Sequence, residues 1–146
     1  MLDIVARSQR GRVCEYTRGE VSVTTPFMIG SEGPVSIRSA EGGRVMDFFG
    51  TEVPLESGLL TTASSGMASD AVVKDGVQVV RLPLPDELVV DDSVEMVVVP
   101  NAYELRKDPR RIVDAVVRLR EACGFGRLLC MLGIGEPSTV ALLSYM

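Results

Sequence analysis

Four cations within six residues, Arg106, Lys107, Arg110 and Arg111, surround an Asp108-Pro109 step where a helix is expected to begin. The helix dipole opposes positive charge at that end by roughly 0.3–1 kcal/mol per exposed group. A backbone phosphate is therefore the functional reading of the cluster, and surface solubility the plain one. Just upstream, Asn101 and Tyr103 follow an apolar run, Val94 to Val99. An amide facing a base and a ring stacking on one is one reading of this pair; the other is that Asn101 turns the chain and Tyr103 packs on the helix. A third candidate is Gly133-Ile134-Gly135-Glu136-Pro137-Ser138-Thr139, placed between an expected strand and an expected helix. Gly133, Gly135 and Ser138 there could hold an anion on free N–H groups, although Glu136 discourages one and a tight strand-to-helix connection explains the same residues.

Much chemistry is excluded by composition. The chain has no histidine, which removes a Cys/His zinc site, a Ser-His-Asp triad and a histidine general base. Cys14, Cys123 and Cys130 are odd in number and lack CxxC spacing, as expected of reduced, buried thiols. Asp70, Asp86, Asp91 and Asp92 show no paired spacing and read as solvated loop charges; an enzyme using Asp70 or Glu104 as acid or base is a minor reading. No metal and no cofactor is expected. A formal charge of −5 argues against a generally basic nucleic-acid binder but leaves room for a local patch. No stretch reaches the roughly 20 apolar residues of a membrane span, and Asp3 and Arg7 do not suit a signal peptide. A soluble, cytoplasmic protein that does not engage a membrane is expected.

The elements that must position these residues fall into two parts. From residue 2 to 29, short strand signals alternate with turns at Gly11 and Arg18-Gly19, an antiparallel meander; Phe27-Met28-Ile29 reads as a short buried strand. Residues 30 to 69 are weakly patterned, with Gly33-Pro34, Gly42-Gly43 and Ser64-Ser65-Gly66 as breakers, and short strands and loops are expected there. Val77 to Leu82 and Val94 to Val99 read as strands, the second buried on both faces. Asp108 offers an N-cap and Pro109 the first helical position, while Ile112, Ala115, Val116, Leu119, Ala122 and Cys123 recur at helical spacing up to Gly124. Asp114 and Arg118 are expected to pair across one turn of the outer face. Leu128 to Leu132 is a further strand, and Pro137 opens a second helix toward Met146.

Two segments carry a family resemblance. Gly11-Arg12-Val13 through Gly19-Glu20-Val21-Ser22-Val23-Thr24-Thr25-Pro26-Phe27-Met28 resembles the opening of tRNA-guanine transglycosylases. Val99-Pro100-Asn101-Ala102-Tyr103-Glu104-Leu105, Asp108-Pro109-Arg110, Leu119-Arg120-Glu121 and Ala141-Leu142-Leu143-Ser144-Tyr145-Met146 resemble the archaeal branch that includes archaeosine synthase. The resemblance implies a (β/α)8 barrel begun by a β-meander and action on guanine-derived bases in archaeal tRNA, so that the phosphate of the basic cluster would be that of tRNA. It also implies a base-binding segment at Ser64, Ser65 and Gly66, where the family has an aspartate and this chain has none. The family's zinc ligands and its later aspartate have no counterpart here either.

The sequence thus predicts an α/β or α+β chain in which an antiparallel meander is followed by the β-α-β-α elements of a partial TIM-like barrel. Residues 1–146 are expected to form one transglycosylase-like domain, incomplete relative to the full barrel. The expected role is an accessory or split subunit in archaeosine-type tRNA modification without catalysis of its own. Its expected partners are tRNA and either a second copy or a barrel-completing chain. The rival reading is a self-assembling structural or ligand-binding module descended from such a barrel.

Overall fold

The computed structural model describes residues 2–8, 11–25, 28–41, 43–55, 72–74, 76–124 and 126–134. Three small sheets and one α-helix account for the regular structure of these residues. The first sheet is a meander of β1 (Leu2–Ser8), β2 (Gly11–Arg18) and β3 (Val21–Thr25), paired antiparallel in that order. A register shift between Ile4 and Ala6 bulges the edge strand β1, which bends it and interrupts its pairing template. The second sheet repeats the design with β4 (Val35–Ala40), β5 (Gly43–Phe48) and β6 (Thr51–Pro54). Pro54 is tolerated because β6 is an edge strand, where a missing N–H costs no ladder bond.

The third sheet holds the parallel strands. Its order is β10 (Leu128–Met131), β9 (Met96–Val99), β8 (Val77–Val79), β7 (Val72–Lys74). β8, β9 and β10 are mutually parallel, whereas β7 is antiparallel to β8. Between β9 and β10 runs α1 (Pro109–Cys123), capped by Asp108 and stopped at Gly124, whose φ of 69° only glycine adopts without strain. The crossover helix is what allows two parallel neighbours to be joined.

Alternation along these strands sends side chains to two cores. Val77, Val79, Met96, Val98, Leu128 and Cys130 meet Tyr16, Val35, Met46, Phe48, Val53 and Leu55 from the two meanders. Val80, Val97 and Val99 meet Leu119, Cys123, Ala102 and Ile134 on the helix side, and Ile112, Ala115 and Val116 extend that side with Leu105. The 81–91 segment is fastened over the helix side by buried Gln78, which donates to the Val89 carbonyl and accepts from the Asp91 N–H.

The predicted β-α-β-α partial TIM-like barrel is therefore corrected. One β-α-β crossover exists, but it lies in an open four-stranded sheet, and antiparallel β7 closes one side. The face that would point into a barrel is instead covered by Tyr16, Phe48 and Met46 of the two meanders, a sheet-on-sheet solution to burying an apolar face. Two smaller readings also change. Of the short buried strand expected at Phe27-Met28-Ile29, Phe27 lies outside the described residues, Met28 is 67% exposed, and neither it nor Ile29 is in a strand. Arg118 donates to the Pro85 carbonyl rather than pairing with Asp114. The second helix expected from Pro137 lies outside the described residues.

Candidate nucleic-acid interface

Because β8, β9 and β10 run the same way, the segments that leave them emerge at one end of the sheet. That end carries Asn101, Tyr103, Gly133 and the basic cluster. The carboxyl ends of parallel strands are where open α/β sheets place their ligands.

Asn101 is 6% exposed, and both ends of its amide are engaged by one residue. Its Nδ2 donates to the Leu82 carbonyl at 3.0 Å, and its Oδ1 accepts from the Leu82 N–H at 2.9 Å. The side chain thus imitates a strand and pairs the exit of β8 with that of β9. Arg44 on β5 reaches the same end and donates to the Pro100 carbonyl at 2.9 Å, anchoring the second meander there. The amide of Asn101 is thus taken up within the fold, by Leu82.

A 3-10 turn, Ala102–Leu105, follows. About three residues per turn bring positions i and i+3 onto one side. Ala102 and Leu105 form the buried side, at 0% and 3% exposure. Tyr103 and Arg106 form a second side, since Arg106 continues the turn at φ −57°, ψ −25° and its N–H bonds the Tyr103 carbonyl. Glu104 and Lys107 fall on the third. Tyr103 is 45% exposed. Its root is pressed on Gly133, where a Cβ would stand only 2.6 Å from the Tyr103 Cβ and where φ is 80°. Gly133 is needed for this approach, which sets the Tyr103 Cβ against the loop after β10.

Arg106, Lys107, Arg110 and Arg111 are all exposed. None of them has an ion pair among the described residues. Asp108 is the acid between them, and its carboxylate is engaged by the backbone, accepting the Arg110 and Arg111 N–H groups at 3.1 and 3.3 Å. Four cations without an ion pair among the described residues thus sit where the helix dipole opposes them, next to the exposed Tyr103. The arrangement can bind an anionic polymer and offer an aromatic face. Among the described residues it contains no nucleophile with a base.

The opposite end of the sheet is closed. Arg127 donates to the carbonyls of Val94, Cys123 and Asp91, and Arg120 donates to those of Gly124 and Arg127. Asp91 accepts from the Ser93 hydroxyl and N–H, which hold its carboxyl below the usual carboxylate range. Cys14, Cys123 and Cys130 are free and buried, and burial pushes the Cys130 thiol up to about 12, far from a reactive thiolate. No cluster of metal-ligating side chains occurs among the described residues. No helix among them is long and apolar enough to cross a membrane. Ser64, Ser65, Gly66, Asp70, Gly135 and Ser138 lie outside the described residues.

Sequence reading missed the Tyr103–Gly133 contact and the Arg44 anchor. The first had a signal: the three-residue period in Ala102-Tyr103-Glu104-Leu105-Arg106-Lys107 separates an apolar side from a Tyr/Arg side. The second, from a strand 56 positions away, had none. Comparison with known proteins gives no match, whether to a family model, a curated protein or a solved structure.

Proposed function

We propose that the chain is an RNA-binding accessory module for tRNA modification of the archaeosine type, without catalysis of its own. The observation that carries the binding role is the set of four exposed cations, without an ion pair among the described residues, beside Tyr103 at the carboxyl end of the parallel strands, in a chain whose net charge is −5. A patch of this sign on an acidic chain is local by construction, so solubility does not require it. The resemblance to the transglycosylase family at 11–28, 99–105, 108–110, 119–121 and 141–146 narrows the RNA to tRNA. The reading without catalysis is supported by the absence of histidine and of a carboxylate at Ser64-Ser65-Gly66.

Titration of tRNA followed by anisotropy tests the binding role. Binding that falls steeply with salt supports it, and indifference to tRNA at low salt removes it. Exchange of labelled guanine into tRNA by the purified chain tests the second part; robust exchange would make the chain an enzyme. The rival, a self-assembling module, is favoured by one feature, the exposure of Ile4 and Val5 at 50% and 62% on edge strand β1. A stable homo-oligomer by light scattering, combined with no tRNA binding, would select it.

A further inference from the structure

We infer that the patch takes unpaired RNA in preference to duplex, with Tyr103 as the platform for one base and Arg106 as the cation beside the phosphate of the same nucleotide. This rests on the RNA-binding role proposed above and specifies the form of the ligand.

Three observations carry it. The 3-10 turn places Tyr103 and Arg106 on one side, one turn apart, a rise of about 6 Å. A single nucleotide spans such a distance from its base to its phosphate. The turn is not free to rotate, because Ala102 and Leu105 are buried on its far side. The Tyr103 Cβ lies against Gly133, where any side chain would come within 2.6 Å of it. The platform is therefore organised before any ligand arrives, and little ordering cost remains for binding.

The choice of ligand form follows from what each form presents. Duplex RNA shields its base faces inside the stack and is read through phosphates and 2′-hydroxyls. An exposed ring contributes little to that contact. Unpaired bases each offer a face, and stacking on an aromatic side chain is tolerant of sequence. A cation cluster alone would serve either form, so the ring decides between them. Lys107, on a different side of the turn, and Arg110 and Arg111, on the first turn of α1, are left to follow neighbouring phosphates.

The test compares an unstructured single-stranded RNA with an RNA duplex of equal length, each titrated with the full chain and with Tyr103→Leu and Tyr103→Phe. Leu keeps the Cβ that meets Gly133 but removes the ring, and Phe keeps the ring. Tighter binding of the single strand is expected, with a loss of about five- to 150-fold in Tyr103→Leu, the value of one stacked base, and retention in Tyr103→Phe. The salt slope of Tyr103→Leu should match the parent, because no phosphate contact is removed. Circular dichroism of the variants checks that the fold is kept. Equal affinity for both forms, or full binding by Tyr103→Leu, would overturn the platform while leaving RNA binding intact. Failure to bind either form would remove both proposals together.

Discussion

The Tyr16 hydroxyl donates to the Glu95 carboxylate at 2.6 Å across 79 positions of sequence, tying the first meander to the residue that precedes β9. Arg18 joins them, 3.9 Å from the same carboxylate and with its guanidinium over the Phe48 ring. Burial first, and then Glu95, raise the Tyr16 pKa above its ordinary value. The fold therefore favours the neutral phenol, and the unfolded chain releases this proton first. The contribution is fully present below about pH 10, the unfolded value, and is lost as pH rises toward the folded one. Tyr16→Phe should cost about 1–3 kcal/mol at neutral pH and should flatten the alkaline fall in stability. Urea titrations at neutral and alkaline pH give both readings.

Asn101→Ala should be among the most damaging polar substitutions. It strips partners from the Leu82 N–H and carbonyl, at about 1–3 kcal/mol for each buried group left unsatisfied. Asn101→Asp keeps an acceptor for the N–H but sets a carboxylate against the carbonyl, so it should rescue little. Chemical denaturation of both variants decides this.

Leu119 is fully buried between α1 and the sheet. Leu119→Ala is expected to lower stability by about 2–5 kcal/mol through lost burial and a residual cavity. A change below about 1 kcal/mol would mean that α1 does not pack as described.

Gly133→Ala meets two obstacles, a positive φ and the Tyr103 Cβ at 2.6 Å. The backbone conformation alone costs about 1–2 kcal/mol, and relief of the clash must displace Tyr103. Reduced stability together with weaker single-stranded RNA binding is the expected outcome. Loss of stability with unchanged binding would separate the two residues.

Arg110→Ala with Arg111→Ala should weaken RNA binding uniformly across sequences. The slope of log affinity against log salt should fall by about 0.7 per lost phosphate contact on a single strand. Both side chains are exposed, so stability should change by less than about 0.5 kcal/mol. Salt titration of the double variant distinguishes lost contacts from misfolding.

The parts of the fold that local chemistry specifies were legible in the sequence. Asp108, Pro109 and Gly124 mark the ends of α1, and its buried side follows the 3.6-residue period through Ile112, Val116 and Leu119. The run Val94 to Val99, apolar except for Glu95, announced a strand covered on both faces, and the strand is Met96–Val99. The second meander was not legible: Gly43 opens β5 at φ 132°, Pro54 ends β6, and the solvent side of its strands carries Arg38 and Glu52, so breakers and charges hide the alternation. The barrel expectation failed for a different reason. A β-α-β unit reads the same in a barrel and in an open sheet, and the outcome was set by Tyr16, Phe48 and Met46, distant residues that cover the free face. At the candidate site the cations were visible as a cluster. The service of Asn101 to Leu82 was not, because it depends on which strand lies beside β9.

The arginine fork at the amino end of the parallel strands has a consequence for how this molecule can change. Arg127 gathers the carbonyls of Val94, Asp91 and Cys123, so the start of β9, the loop before it and the end of α1 share one fastening. A chain laced at one pole can be rewritten at the other. Replacement of Arg106, Lys107, Arg110 or Arg111, all exposed, alters what the surface greets without loosening that lacing, which makes the carboxyl pole a region where new specificity can be installed by substitution while the scaffold stays as it is.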